Sequence, residues 1–286
     1  MDARVSARFY RVTAPAGALD FHQLLLAEMR EPLAGNREKA LGGGVTLRVE
    51  HCVEANGFLE GQFCRVQTVN VPPQADANGL TPIALGNGGL GHLAAFRYHP
   101  DSRVMLLQQN IQSATPHRVS LYVAGQNPAH IFHLEPILSE DAWDRFQNRN
   151  TRSFAIRFAG AENLAALDDE GISAAQGAKL IAEAYDGVQV TIEVSVGRSR
   201  WRRLSPDRVL QDLARIVGLG AAEKVTAKLE GEEEPVDLLH EHLRVTEELD
   251  LAANDPNANY LARKDFLTRG FVSCSQALAR FGYGAA

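Results

Sequence analysis

Apolar and polar positions alternate in short runs over much of the first half of the chain, at 7–13, 45–54, 57–68, 91–98, 104–111, 118–123 and 130–134. A period of two predicts β-strands. The breaks carry turn chemistry: Asn56-Gly57, the Pro72-Pro73 stretch, His99-Pro100-Asp101-Ser102 and the segment from Gly125 to Pro128. Strands joined this way predict an antiparallel meander and not alternating βαβ units. One helix interrupts the pattern early, with Phe21, Leu24, Leu25 and Met29 at helical spacing behind Asp20 as cap and Pro32 as stop. The connection 69–91, rich in glycine and proline, is longer than an ordinary loop.

The pattern changes after Pro136. A short helix is expected at 139–149 with Ser139 as cap, a strand at 153–158, and an alanine-rich helix over 161–185. Val188, Val190, Ile192, Val194 and Val196 then mark one face of a strand, and Ser205-Pro206 opens a helix with Val209, Leu210, Leu213, Ile216 and Val217 as its stripe. A strand at 224–229, an acidic turn from Glu230 to Pro235, a short helix at 236–243 and an extended piece at 245–251 follow. The last stretch, 260–281, carries Leu261, Phe266, Phe271, Val272, Leu278 and Phe281 and reads as a packed helix or a dimer face, interrupted at Gly270. The shift in composition sets a domain boundary near 145–153. The fold class expected is α+β: an antiparallel β-rich N-terminal domain over 1–150, then a mixed α/β domain over 151–286.

Composition narrows the function classes. The 286 residues are 45% hydrophobic and 22% charged, with net charge −6, so any contact with nucleic acid has to be local. Cys52, Cys64 and Cys274 are odd in number and scattered, which fits a reducing cytoplasm better than a disulfide framework. No apolar run approaches the roughly 20 residues that span a bilayer.

Each catalytic constellation falls short on its own chemistry, and no cofactor or metal is expected. The glycines at 86, 88, 89 and 91 lack the Lys-Ser/Thr pair of a phosphate loop, and a strand pattern follows them where a helix is needed. His130 points away from His133 and Glu135 on a strand, and His240-Glu241-His242 is not H-E-x-x-H. Asp186 and Glu193 suggest a nuclease acid pair, but Ser195 stands where the assisting lysine belongs. No Gly-x-Ser-x-Gly elbow is present.

The one strong signal is cationic. The strand ending at Val196 runs into Arg198, Arg200, Arg202 and Arg203 around Trp201. Arg208 and Arg215 extend the cluster along the expected helix, and Lys224 and Lys228 lie on the next expected strand. Four arginines within six residues repel one another unless an anion meets them, and their forks suit phosphates. A solvated turn is the plain alternative. Another is pairing with an acidic protein surface, such as the Glu230 to Glu234 turn of a second subunit.

The succession V-T-I-E-V-S-V-G-R-S-R-W-R-R, a helix, K-V-T-A-K-L-E-G, an acidic turn, L-L-H-E-H-L and a terminal helix resembles the RexA-like phage exclusion (abortive infection) family. H-L-A-A-F-R-Y-H-P-D-S-R-V-M-L-L and F-H-L-E-P-I-L-S are similar to that family's first domain. The resemblance implies a cytoplasmic homodimer that binds double-stranded DNA with little sequence preference and serves as the sensor of an antiphage system beside a membrane effector. It carries the DNA surface onto Arg198, Arg200, Arg202 and Arg203. This chain is more acidic, uses arginine where that family uses lysine, and breaks its basic run at Ser205-Pro206.

Overall fold

The alternation over 46–67 folds as a hairpin of β3 (Thr46–Ala55) and β4 (Phe58–Gln67). Asn56 and Gly57 make its turn with φ of 52° and 77°, the two left-handed residues that a tight hairpin requires. The structure is a computed structural model describing residues 2–14, 17–42, 44–77, 79–86, 88–110, 112–125, 132–139, 149–159, 189–197, 204, 222–231, 234–237, 241–280 and 283. Its larger sheet adds β1 (Asp2–Thr13), β2 (Lys39–Ala40), β7 (Leu90–His99), β8 (Val104–Gln108) and β14 (Arg244–Asp250) in the order β14-β1-β8-β7-β4-β3-β2. Between β4 and β7 the connection forms a small exposed hairpin, β5 (Gln74–Asp76) with β6 (Gly79–Thr81). The fold is α+β with a β-rich N-terminal region, as the alternation predicts.

The chain divides into two compact units. The first holds 1–7, 14–132 and 246–286, and the second 8–13 and 133–245. This partition is interleaved and does not follow a single cut near residue 150. The reason is that the last helix packs on the first unit's own sheet.

In the first unit one sheet face is aromatic. Phe63, Phe96 and Tyr98 are buried there beneath α1 (Phe21–Glu28) and α2 (Pro116–Ala124), with Phe21 set edge-on to Tyr98 at 5.1 Å and Phe63 to Tyr122 at 5.9 Å. The Tyr122 hydroxyl donates to the Arg37 carbonyl at 3.0 Å and accepts from the Val49 N–H at 3.3 Å. The expected strand at 118–123 is therefore a helix. Thr115 caps it by accepting from the Arg118 N–H, Pro116 takes its first turn, and Val119, Tyr122 and Val123 bury at helical spacing, which overrides the β-branched composition. The strand expected to reach 111 stops at Gln108, because the Asn110 side chain folds back to accept from the Gln112 N–H.

The opposite face of this sheet is covered by α3 (Pro256–Ser273), capped by Asp255, which accepts from the N–H groups of Asn257 and Ala258. Phe266, Leu267, Gly270 and Phe271 bury against the sheet, so Gly270 does not break the helix; α4 (Ser275–Arg280) follows. Among the described residues no helix is long and apolar enough to cross a membrane.

In the second unit β9 (His133–Pro136) pairs with the end of β1 from Thr13 to Tyr10. A four-stranded antiparallel sheet is built from β10 (Thr151–Ala159), β11 (Gln189–Ser195), β12 (Ala222–Leu229) and β13 (Val236–Asp237) in the order β11-β10-β12-β13. Phe154, Ile156, Val225, Ala227, Leu229 and Val236 are buried on one face. Of the helix expected at 236–243, Val236 and Asp237 are instead a strand paired with Ala227 and Thr226, and His242 forms a bridge to Leu138, while 238–240 lie outside the described residues. The hydrogen bonds offered by the β12 edge outweigh a weak helical spacing. The helices expected at 139–149, 161–185 and 205–217 fall almost wholly outside the described residues.

Candidate nucleic-acid interface

The register of the four-stranded sheet assigns its outer face residue by residue. Opposed residues share a face, so three rows cross the strands: Thr191, Arg157 and Lys224; Glu193, Ala155, Thr226 and Asp237; and Ser195, Ser153 and Lys228. Arg157, Lys224 and Lys228 are exposed, while the positions between them are Ala, Ser and Thr, so the cations stand clear of a low platform. Lys224 and Lys228 span about 13 Å along β12 at the usual rise of a strand. Among the described residues no ion pair neutralises any of these three cations.

Arg198, Arg200, Trp201, Arg202, Arg203, Arg208 and Arg215 lie outside the described residues, but both sides of the arginine run are pinned to the start of β10. The Val196 N–H donates to the Arg152 carbonyl at 3.0 Å, and the Arg152 guanidinium donates to the Gly197 carbonyl at 3.4 Å. Past the run, the Leu204 N–H donates to the Thr151 carbonyl at 3.1 Å. Gly197 and Leu204, which flank the run, are therefore both bonded to the start of β10, close in sequence to Ser153, which is opposed to Lys228. Of the residues expected at the interface, the structure brings together Lys224 and Lys228. It adds Arg157, which the alternation at 153–158 puts on the polar side without marking it as a candidate; only the ladder sets it against Lys224.

The remaining candidates are occupied otherwise. Asp186 and His130 lie outside the described residues, and Glu193 is exposed on the platform opposite Ala155. Glu135 accepts from the Thr13 hydroxyl at 3.1 Å. Of His240-Glu241-His242, Glu241 accepts from the Ser139 hydroxyl at 3.1 Å, while His242 is buried. Glu230 accepts from the Asn150 amide at 2.7 Å within its own chain. Within the glycine-rich segment Gly89 serves close packing, since a Cβ there would meet the Gln67 carbonyl oxygen at 2.7 Å, whereas Gly86 has nothing within 4 Å and takes a left-handed φ of 57°. Of the apolar residues read as a dimer face, Phe266, Phe271 and Leu278 are buried in the chain itself, and Leu261 and Val272 remain exposed.

A protein-family model described as "Family of unknown function (DUF6731)" matches residues 40–261. No curated protein and no solved structure matches the chain.

Proposed function

The chain belongs to that family of unknown function, and from its own residues we propose that it binds double-stranded DNA through the sugar-phosphate backbone, without reading sequence and without cutting the strand. The observation that carries this reading is a trio of exposed cations with no ion pair among the described residues on the outer face of the four-stranded sheet, Arg157 and Lys224 as direct cross-strand partners and Lys228 on the same side, on a face that also carries Glu193 and Asp237. Like charges opposed in a ladder are unfavourable, and an anion bound between them turns the repulsion into attraction. Lys228 is opposed to Ser153 near the start of β10, to which Gly197 and Leu204 are bonded on either side of the arginine run. The face of a four-stranded sheet is too broad for a groove that admits a helix or a two-stranded ribbon, and the short Ser153, Ala155 and Thr226 side chains between its cations reach no base edge; both favour contact with phosphates.

Three unpaired cysteines support a cytoplasmic setting. The RexA-like resemblance extends the proposal to a homodimeric antiphage sensor with a membrane effector as partner. The test is a gel shift on unrelated duplexes over a salt series, with supercoiled plasmid incubated beside it in magnesium or manganese. Equal, steeply salt-dependent binding with intact plasmid supports the reading. Salt-independent or absent binding overturns it, and nicking that disappears in Glu193→Ala replaces it with a nuclease.

A further inference from the structure

Between α3 and the sheet of the first unit lies a polar layer where an apolar one is expected. On β4 and β7, Glu60 and Arg97 are cross-strand partners joined by an ion pair, and both are buried. Lys264 of α3 reaches the other Glu60 oxygen at 2.9 Å, Thr268 accepts from the Arg97 guanidinium at 2.9 Å, and Phe58 lies under that guanidinium at 3.8 Å. Two residues along β4, Gln62 is opposed to His51, on which Tyr260 of α3 is stacked at 4.6 Å. Arg263 is one turn after Tyr260 and one turn before Phe266 and Leu267, on the buried side of the helix.

This layer leaves both donors and acceptors unmatched. Gln62 is only 3% exposed, yet its side-chain oxygen has no partner; neither do the Arg97 Nε, the Tyr260 hydroxyl, or the Arg263 Nε and Nη1. Burial holds the Arg97 and Arg263 guanidiniums below the usual arginine range and pushes the Tyr260 phenol up to about 12. An orphaned buried polar group is unfavourable, and an unmatched buried charge more so. Arg97 and Lys264 both meet the Glu60 carboxylate, and Arg263, on the same helix as Lys264, is a third cation with no ion-pair partner among the described residues, so these four groups sum to an excess of two positive charges.

We infer that this layer is a binding site for a phosphate dianion, free or as the phosphomonoester of a small molecule, held by Arg263 and Lys264 with Tyr260 and Gln62 completing the contacts. The charge excess selects the class: a phosphate group carries close to two negative charges near pH 7, a carboxylate only one. Arginine forks and a phenol supply the donors, and the unpartnered Gln62 side-chain oxygen accepts from the P–OH of free phosphate or from a hydroxyl of the ester's alcohol. The site lies in the first unit and does not depend on the DNA-binding proposal.

The experiment measures thermal unfolding and calorimetric binding of the full chain with inorganic phosphate, with a nucleoside 5′-monophosphate, and with acetate at matched ionic strength. The wild type is expected to gain thermal stability with phosphate or the monophosphate and not with acetate; the stronger of the two identifies the source. Arg263→Met, which replaces the buried cation by an apolar chain of similar length, should keep or exceed the wild-type melting temperature without phosphate and bind phosphate at least about tenfold more weakly. The triple variant R157A/K224A/K228A should retain the full phosphate response, which separates this site from the DNA surface. A wild type indifferent to millimolar phosphate and monophosphate, or an Arg263→Met protein that responds as the wild type does, overturns the proposal. Gln62→Leu is the second variant if Arg263→Met fails to fold, with the same drop in affinity expected and an unchanged response counting against the site.

Discussion

Arg157 and Lys224 stand directly opposite each other in the β10–β12 ladder, two exposed cations in a protein whose net charge is −6. A neutral platform would set a carboxylate at one of these positions. Glu193 sits one row away, against Ala155, and leaves the pair facing solvent.

If the pair meets phosphates, the double substitution R157A/K224A weakens binding to unrelated duplexes about equally. It lowers the slope of log affinity against log salt by roughly 0.9 for each phosphate no longer neutralised. Without DNA the double variant is as stable as the wild type or slightly more so, since a like-charged pair has been removed. Salt-series gel shifts and chemical denaturation read the two halves of this statement; an unchanged slope removes the pair from the interface.

Gly61 lies at the centre of the larger sheet, where an added Cβ would sit 2.3 Å from the His51 carbonyl oxygen and 2.4 Å from the Phe96 ring. Gly61→Ala should therefore destabilise the protein by about 1–3 kcal/mol or more, through a backbone oxygen that cannot give way. Gly35→Ala, with nothing within 4 Å, is the matched control and should be close to neutral. Urea denaturation of both variants decides it; equal midpoints would mean that β3 and β4 separate more easily than their register implies.

His92 is opposed to Arg65, and its Nε2 shares a hydrogen bond of 2.7 Å with the Gln67 side chain. Burial and the Arg65 charge hold its imidazole below the usual range. The unfolded chain then binds this proton first as pH falls. The contribution to stability is full above the unfolded value, near pH 6.5, and declines as pH falls from there through the lower folded value. His92→Gln should flatten the stability profile below about pH 6.5. A melting-temperature series across that range, with the two proteins falling in parallel, would exclude this group as the cause.

The three thiols should differ in reactivity. Burial pushes Cys52 up to about 12 and Cys64 up to about 11; it raises Cys274 as well, but that thiol is only half-buried and open to reagent. Thiolate is the reactive form, so an alkylating reagent near neutral pH should label Cys274 first and reach Cys52 and Cys64 only on unfolding. Peptide mass spectrometry after timed labelling checks the order, and early labelling of Cys52 would contradict the packing of β3.

Much of the strand pattern was legible because alternation and turn chemistry are local. The Asn56-Gly57 hairpin, the strands at 188–196 and 224–229 and the helix start behind Asp20 all appear within a residue or two of expectation. Where two local signals competed, the pattern alone pointed to the wrong element. At 118–123 the β-branched residues suggested a strand, but Thr115-Pro116 supplied a helix start and Phe63 gave Tyr122 an aromatic neighbour from a distant strand. At Val236 and Asp237 the helical spacing yielded to the free edge of β12.

The chain order of residues was enough to mark an arginine-rich segment between a strand and Ser205-Pro206, because charge density is a property of neighbours in sequence. It could not find Arg157 as the partner of Lys224, or Gln62 and Arg263 as orphans in one buried layer, because these relations join strands and helices far apart in the chain. Strand register and helix packing bring such residues together. Both are set by which long-range burial is most favourable, and that balance has no local signature.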